Sequence, residues 1–373
     1  MATAFQLGQG VAGRIAMINR RTLLASALGA AAIPGAAMAT KCGPMPAEWE
    51  PHAGCVMTWC SAFETHGKDT VAAIRVEQAA MARAIATFEP VTMLVNPGES
   101  VDAARQLGWD IGVEILEHHD MWARDTLPTP TRCIPTNFVT GWNFNVWGEK
   151  FPEYDADRTL AARYAHSKGL TLTKAGIVAE GGALETDGRG TLLTTETCLL
   201  NDNRNPGMTR DEIEADLKLH TGCERVIWLW GSEADFITDG HVDGLARFIR
   251  PGLVVVEVTD DKEDPEYRDL QENALRLEAA RDSRGEPLEV IRLNRPRWEE
   301  MPERGPDFAP SYVNSYFPNG GIIMPRFRDE IRDEAARALF AELMPDRRIV
   351  QLDIDHIAEA GGGIHCCTMH VPA

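Results

Sequence analysis

The chain has 373 residues, with 37 Lys and Arg against 56 Asp and Glu, which gives a formal net charge of −19 at pH 7. A surface that binds nucleic acid or an anionic membrane needs an excess of cations, so this balance argues against both kinds of partner and favours attraction of a cationic small molecule. Hydrophobic residues make up 44% of the chain, so the composition is that of a globular protein, and the length predicts two domains or one large fold.

Residues 1–39 have the features of an export signal. They contain three arginines and no acid, and two of the arginines, Arg20 and Arg21, are adjacent. An apolar stretch too short to span a bilayer follows and leads to the small-residue cleavage site at Ala37 and Ala39. The arginine pair resembles a twin-arginine signal, which predicts a periplasmic or secreted protein; an uncleaved anchor helix is the alternative. Cleavage after Ala39 leaves 334 residues with a formal net charge of −22.

Strand-like and helix-like segments alternate along the rest of the chain. Short apolar runs predict strands, and apolar residues at helical spacing predict helices. The predicted strands, in chain order, are residues 55–59, 91–95, 113–116, 190–195, 226–230, 245–249, 254–258, 321–324 and 349–352. The predicted helices are residues 70–88, 155–168, 209–220, 266–283 and 329–343. Thr209 and Glu212 have the spacing of a capping box at the start of the third helix.

Residues 40–373 show no division into separate domains. Strands are spread over the whole segment, which is typical of an α/β fold. No low-complexity linker, no repeat of fixed period and no apolar run of about 20 residues is visible. All eight cysteines lie in this segment. They form neither a C-x-x-C pair nor a zinc-finger pattern, and no disulfide is assigned.

Two clusters of carboxylates could bind a cation. Asp120, Trp122 and Asp125 follow closely after the predicted strand at 113–116, and an indole with acids can stack on and pair with a flat cation. The alternative is a helix-capping acid beside a surface tryptophan. Glu180 precedes two glycines, which would let the backbone approach a ligand closely, although a Gly-Gly pair also marks an ordinary turn.

Two further clusters could supply a proton carrier and a nucleophile. His241 and Asp243 would point to one face if the chain is extended there. Such a pair serves in general acid–base catalysis, or could ligate a metal, or could be an ordinary buried histidine. Glycines at 361–363 precede the adjacent Cys366 and Cys367, which are either an accessible thiol site or a plain turn. Together the four clusters suit attack on a cationic carbon centre.

These clusters, with the motifs between them, resemble the agmatine deiminase and bacterial-type peptidylarginine deiminase family of guanidine-modifying enzymes. The resemblance covers essentially all of residues 40–373. Its motifs are MPAEWEPH at 45–52, NFNVWG at 143–148, NRNP at 203–206, SYVN at 311–314 and GIHC at 363–366. It implies a pentein fold, in which five ββαβ-like units form one α/β propeller domain with the active site in a central channel.

The resemblance also implies roles for individual residues. Cys366 would be the nucleophile that attacks the guanidinium carbon, and Asp125 and Asp243 would accept hydrogen bonds from the guanidinium. His241 would protonate the departing ammonia and then activate the water that hydrolyses the thiouronium intermediate.

Three more residues are carried over from the family. Glu180 matches the acid that orients the catalytic groups, Trp122 would line the pocket, and Asn314 matches a position that supports the site. No metal and no cofactor is expected.

Three departures from the family pattern bear on the substrate. Leu127 stands where a glycine is usual after Asp125, and Phe236 with Ile237 interrupts the acids that precede His241. Cys367 is an unusual neighbour of the nucleophile and a candidate oxidation partner.

The predicted activity is hydrolysis of agmatine to N-carbamoylputrescine and ammonia. Deimination of peptidyl-arginine to citrulline is the alternative within the same chemistry, and the export signal favours it. The expected partner is therefore a small cationic guanidine or an arginyl peptide, with no nucleic acid and no membrane for the mature protein; a homo-oligomer is left open. Two other classes are a metal-dependent hydrolase and a non-catalytic guanidine binder, the latter if Leu127 closes the pocket. The metal ligands would be His118, His119, Asp120, His241 and Asp243.

Overall fold

The computed structural model describes residues 41–108, 110–134, 138–151, 154–297, 305 and 307–373. The predicted export signal at 1–39 lies outside these residues. Residues Thr40–Ala373 form one unit.

Strands and helices alternate as an α/β sequence requires. The strands are β1 Lys41–Gly43, β2 His52–Thr58, β3 Val91–Val95, β4 Ile111–Ile115, β5 Thr129–Pro130, β6 Arg132–Ile134, β7 Phe138–Gly141, β8 Thr171–Lys174, β9 Glu185–Thr186, β10 Thr191–Thr195, β11 Arg225–Leu229, β12 Ala246–Arg250, β13 Leu253–Val258, β14 Glu289–Asn294, β15 Gly321–Arg326, β16 Arg348–Asp353 and β17 Met369–Pro372. The helices are α1 Phe63–His66, α2 Lys68–Ala86, α3 Ser100–Leu107, α4 Ala123–Thr126, α5 Val146–Glu149, α6 Asp155–Arg158, α7 Leu160–Ser167, α8 Glu196–Leu199, α9 Arg210–Thr221, α10 Tyr267–Ala279, α11 Glu330–Leu343 and α12 Asp355–Glu359. Two 3₁₀ turns cover Gly181–Ala183 and Val242–Gly244.

Five small sheets repeat one pattern. Their strand orders are β17-β2-β3-β4, β5-β7-β8, β9-β10-β11, β12-β13-β14 and β15-β16. In each of the first four, the central strand makes one antiparallel and one parallel pairing. In the fifth, a single antiparallel bridge from Tyr316 to Ile323 takes the place of the outer strand. A helix joins the two parallel strands each time, since parallel strands need a crossover.

This repeat confirms the five-bladed α/β propeller that the resemblance implied. The first blade contains both β2 and β17, so the two ends of residues 41–373 are joined in one sheet. Strands β1 and β6 form an additional two-stranded pair outside the five blades.

The elements of the structure agree with those predicted from the sequence where apolar patterning is strong. Strand β13 is buried at every position, as expected for a strand with a parallel neighbour and a helix over it. Helix α9 begins with the predicted capping box, in which the Thr209 side chain and the Glu212 side chain each bond the other residue's backbone. Strands β7, β8 and β14 were not predicted; β8 reads Thr-Leu-Thr-Lys and has no buried residue.

The largest apolar cluster lies between the first and the fifth blade. It includes Trp59 from the end of β2, Met93 from β3, Ile323 from β15 and Phe340 from α11, all fully buried. Smaller clusters lie under the helices of the other blades. Within the described part of the chain, no helix combines the length and apolar character needed to cross a bilayer.

Candidate active site

One loop from each blade carries a predicted site residue. Asp125, Glu180, Asp243, Asn314 and Cys366 each lie within five residues before the strand that makes the antiparallel pairing of its blade. All five side chains are buried. Because the loop has the same position in every blade, residues from distant parts of the sequence come together.

The two acids predicted to hold the substrate converge with His241 on the backbone of Gly182. A Cβ atom added to Gly182 would lie 2.5 Å from His241 Nδ1, 3.0 Å from Asp125 Oδ1 and 3.1 Å from Asp243 Oδ2. The Gly182 backbone N–H donates to Asp125 Oδ1 at 2.9 Å, and Trp147 Nε1 donates to Asp125 Oδ2 at 2.9 Å. Glycine at this position therefore allows the backbone to pack closely against a histidine and two carboxylates.

His241 is held as a cation between two acids. Its Nε2 lies 3.4 Å from Glu180 Oε2, and its Nδ1 lies 3.9 Å from Asp125 Oδ1. Burial lowers the pKa of His241, but Asp125 and Glu180, with Cys198, outweigh burial and raise that pKa well above its usual value. The buried Nδ1 atom has no hydrogen-bond partner among the described residues. An imidazolium with an unpaired N–H beside the two substrate-binding acids suits a general acid.

Glu180 is fixed from behind by a fully buried arginine. Arg204 Nε donates to Glu180 Oε1 at 2.7 Å, and Arg204 Nη1 lies 2.7 Å from Asp239 Oδ2. Burial raises the pKa of Glu180, but Arg204 and His241 together bring it down to about 2. Glu180 is therefore ionised at neutral pH and orients His241 through a charge-assisted contact.

The predicted nucleophile is a buried thiol next to two acids. Cys366 Sγ lies 3.5 Å from Asp243 Oδ2, and Asn314 Nδ2 donates to the sulfur at 3.2 Å. Burial raises the pKa of Cys366 well above its usual value, and Asp243 and Asp125 raise it further. The free protein therefore holds a protonated thiol at neutral pH, and a cation bound between the acids would be needed to form the thiolate.

The glycines before Cys366 allow two side chains to approach the nucleophile loop. A Cβ atom at Gly362 would lie 2.3 Å from the Trp122 ring, and one at Gly363 would lie 2.4 Å from Asn314 Oδ1. Asn314 Oδ1 also accepts the backbone N–H of Cys366 at 3.3 Å. Trp122 thus packs against the loop that carries the sulfur, and Asn314 holds both the loop and the sulfur.

Two details of the sequence prediction are wrong. The segment from His241 to Asp243 is not extended, because His241 precedes the 3₁₀ turn Val242–Gly244. Both side chains still reach the site. Asp120 does not reach it: its carboxylate instead contacts Cys60 Sγ at 3.4 Å and accepts from Tyr154 Oη at 2.9 Å, because α4 turns the chain between Asp120 and Asp125.

The predicted metal-ligand set is divided between two places, which overturns the metal-dependent hydrolase. His118 binds the backbone oxygens of Leu116 and Trp59, both at 2.8 Å. His119 packs on the Tyr154 ring, away from His241. Among the described residues, the possible three-ligand groups are Cys60 with His66 and Asp120, and Glu180 with Cys198 and His241. The second group already has Arg204 on its carboxylate, so a metal ion there would compete with a buried cation.

Leu127 does not close the pocket. Its side chain is buried in a small apolar cluster with Val56, Leu160 and Met369. The glycine-to-leucine departure therefore fills space behind α4, which removes the reason given for a non-catalytic guanidine binder.

A cavity of about 350 Å³ lies beside His241. Phe236, Ile237 and Phe308 supply apolar lining, and Asp235 lies at the same wall. Asp235 accepts the backbone N–H groups of Ile237, Thr238 and Gly240, so its carboxylate shapes the loop before His241.

Several site residues had no assigned role in the sequence prediction. Trp147 and Arg204 lie in the family motifs at 143–148 and 203–206, but spacing alone did not indicate that they bind Asp125 and Glu180. Trp147 also has a positive φ of 51°. A bulky residue in this conformation is strained, which is common at functional sites.

Comparison with known proteins agrees with this geometry. Residues 44–372 match the family of Porphyromonas-type peptidyl-arginine deiminases. The agmatine deiminase of Ectopseudomonas mendocina is 38% identical over 357 residues, which covers 88% of this chain and 95% of that protein. The agmatine deiminase of Stutzerimonas stutzeri is 37% identical over 355 residues, with 88% and 95% covered. The solved structure of agmatine deiminase from Enterococcus faecalis is 30% identical, with a TM-score of 0.79 and coverage of 88% of this chain and 95% of that one.

A five-bladed α/β propeller with one cysteine, one histidine and three carboxylates around a common space defines a class of thiol-dependent guanidine-modifying proteins. The chain belongs to the Porphyromonas-type peptidyl-arginine deiminase family.

Proposed function

We propose that the protein hydrolyses the guanidinium C–N bond of agmatine and releases N-carbamoylputrescine and ammonia. The observation that carries this proposal is the convergence of His241 Nδ1 and the Asp125 and Asp243 carboxylates around Gly182, with the Cys366 sulfur 3.5 Å from Asp243 Oδ2. The relatives described above that are named agmatine deiminases support the choice of substrate, since this chain aligns with 95% of their length.

The first chemical step needs the substrate to create its own nucleophile. The guanidinium binds between Asp125 and Asp243, which accept its N–H groups and hold it in plane. Its positive charge offsets the two acids, so the Cys366 thiol releases its proton to solvent. The thiolate then bonds to the guanidinium carbon and gives a neutral tetrahedral adduct.

His241 completes both halves of the reaction. It gives its proton to the departing nitrogen, so ammonia leaves and a cationic thiouronium remains on Cys366. Neutral His241 then takes a proton from water, and the hydroxide adds to the same carbon. Collapse of this adduct breaks the C–S bond and passes the hydroxyl proton to the departing sulfur, which releases the ureido product and restores protonated His241 and the Cys366 thiol for the next cycle.

Replacement of the thiol tests the nucleophile. Cys366→Ala should abolish ammonia release from agmatine while the thermal unfolding midpoint stays close to that of the unaltered protein. Cys367→Ala is the matched control, because Cys367 is fully buried in the apolar core beside it. Turnover by Cys366→Ala would exclude this thiol as the nucleophile.

A substrate panel decides between agmatine and peptidyl-arginine. Agmatine, free arginine and an arginyl peptide would be compared by ammonia release and by mass spectrometry of the ureido product. The predicted export signal is the sequence feature that favours the peptide, since an exported enzyme would meet proteins outside the cytoplasm. A kcat/KM for the peptide above that for agmatine would replace the proposed substrate, and no ammonia from any of the three would refute the deiminase proposal.

Inhibition separates thiol chemistry from metal chemistry. Iodoacetamide should inactivate the protein at Cys366, whereas a chelator should leave the rate unchanged.

We also propose that the mature protein is periplasmic or secreted, with the twin-arginine segment at 1–39 removed.

A further inference from the structure

The substrate-binding carboxylate Asp243 is itself held by a histidine that the mechanism does not use. His365 Nδ1 lies 2.7 Å from Asp243 Oδ2, and His365 Nε2 lies 3.0 Å from Glu48 Oε2. All three residues are buried. His365 immediately precedes the nucleophile, and Glu48 belongs to the family motif at 45–52.

Glu48 is firmly anchored as an anion. Arg124 Nη2 donates to Glu48 Oε2 at 2.6 Å, and Arg247 Nη2 and the Phe317 backbone N–H both donate to Glu48 Oε1. Burial raises the pKa of Glu48, but Arg247, His365 and Arg124 hold that pKa well below its usual value. The histidine therefore lies between two carboxylates, one of which is fixed by two arginines.

This arrangement fixes the position of the Asp243 carboxylate. An ionised carboxylate only accepts hydrogen bonds, so His365 donates its Nδ1–H to Asp243 Oδ2. The same oxygen lies 3.5 Å from Cys366 Sγ.

We propose that His365 is a positioning residue for the reaction: anchored by Glu48, it keeps Asp243 ionised and fixed beside the sulfur of Cys366. The proposal rests on the proposed function, because it takes Asp243 to be a ligand of the guanidinium. Burial alone raises the pKa of Asp243, and the hydrogen bond from His365 is the first of the contacts that bring that pKa below its usual value.

The same contact acts where a carboxylate and the reactive sulfur lie next to each other. An acid this close to the sulfur opposes the thiolate, and the hydrogen bond from His365 is made to the same Asp243 oxygen that the sulfur contacts. The charged and titratable groups that face Asp243 are His365 and Cys366 by direct contact, and His241, Arg124 and Asp125 through space. Among these groups, His365 makes the shorter contact with the Asp243 side chain, at 2.7 Å against 3.5 Å for the Cys366 thiol.

The test compares His365→Gln with His370→Gln in agmatine turnover as a function of pH. His370 is equally buried and near the same anchor, with Nδ1 3.4 Å from Arg124 Nη1 and 3.9 Å from Glu48 Oε2, but it has no contact with Asp243. His365→Gln should lower kcat/KM by about 10- to 100-fold, the size expected for one buried charge-assisted hydrogen bond. KM should rise more than kcat falls, and the acid limb of kcat/KM should move to higher pH.

Either of two results would overturn the proposal. In the first, His365→Gln lowers kcat/KM equally at every pH and the acid limb of the profile stays at the same pH. In the second, the acid limb shifts equally in His370→Gln. Neutron diffraction of the unaltered protein provides a test that needs no variant: deuterium on His365 Nδ1 beside an ionised Asp243 carboxylate is expected, and deuterium on the Asp243 carboxyl group contradicts the proposal.

Failure of the proposed function would be recognised separately. If no guanidine is turned over by the unaltered protein, binding of agmatine to Cys366→Ala is measured by calorimetry between pH 4 and 8. A binding midpoint that moves to higher pH when His365→Gln is added supports the positioning role without any turnover, and an unchanged midpoint refutes it.

Discussion

Gly182→Ala tests whether the guanidinium is held by the three side chains that converge on this residue. The added methyl carbon would lie 2.5 Å from His241 Nδ1, about 0.9 Å closer than the 3.4 Å of ordinary contact. It would also lie 3.0 Å from Asp125 Oδ1 and 3.1 Å from Asp243 Oδ2, so it contacts all three groups that are proposed to hold the substrate. Gly182 has no positive φ, so the backbone accepts alanine without the strain of a left-handed conformation.

The expected loss of activity follows from this displacement. Moving a reacting group by about 1 Å costs on the order of 100-fold in rate, and the methyl group fits only if His241 or an acid moves. We expect kcat/KM for agmatine to fall by about 100-fold, and the unfolding midpoint to fall less than in Gly181→Ala, because the atoms that must move belong to side chains and not to the backbone.

The assay is ammonia release at varied agmatine, with thermal unfolding measured on the same samples. Gly112→Ala is the matched control, since its added methyl group meets nothing closer than the Val91 backbone oxygen at 3.4 Å on an exposed strand. Gly181→Ala gives the opposite contrast, because its Cβ atom would overlap the Arg124 backbone oxygen, so it should destabilise the fold itself. A Gly182→Ala variant with activity within threefold of the unaltered protein would refute the placement of the guanidinium.

Three further predictions concern the apolar packing behind α4, the buried Arg204–Glu180 pair and the predicted export signal. Leu127→Ala should lower the free energy of unfolding by about 2–5 kcal/mol, because Leu127 is buried in the cluster behind α4. The KM for agmatine should stay within threefold of that of the unaltered protein. Urea unfolding and steady-state kinetics measure the two quantities, and a large rise in KM would show that Leu127 shapes the pocket. Arg204→Gln should remove a large part of the stabilisation linked to Glu180, whose pKa is about 2 in the fold against 4.5 unperturbed, because Arg204 is the first of the two cations that lower it. The contribution of Glu180 is full above pH 4.5 and is lost as the pH falls towards 2. The stability difference measured by urea unfolding should therefore be up to about 3 kcal/mol at pH 7 and about half as large at pH 3; an equal difference at both pH values contradicts this prediction. Changing both Arg20 and Arg21 to lysine should leave the protein unexported in cell fractionation, and normal export would exclude a twin-arginine signal.

The sequence predicted the elements whose apolar patterning is strong. Strand β3 was predicted with its observed limits, and the capping box at Thr209 placed the start of α9 correctly. Strands β7 and β8 were missed because each is only four residues long, which is too short to show an alternation, and β8 has a single apolar side chain. For the same reason no repeat was visible, although the chain repeats one arrangement of strands five times.

The site was predictable where a motif carries the reactive group itself. Cys366, His241, Asp125, Asp243 and Glu180 were named from the resemblance, and the structure brings all five together. The residues that hold them were not predictable. Glu48 and His365 are in separate motifs at opposite ends of residues 40–373, and nothing in their spacing indicates a contact. Whether Asp120 or Asp125 enters the site depends on the single turn of α4, which composition does not reveal.

The pairing of β17 with β2 has a consequence for folding. Met369 lies opposite Val56, so more than 300 residues separate partners whose contact completes the ring. Cys366 is three residues before β17. Contacts between residues so far apart in sequence form late. Closing the long loop between them costs entropy, and this cost is offset only once the intervening structure has formed. The sulfur therefore meets Asn314 and the acids only after the other blades have assembled, so a partly folded chain has no working nucleophile and the onset of activity reports the completion of folding.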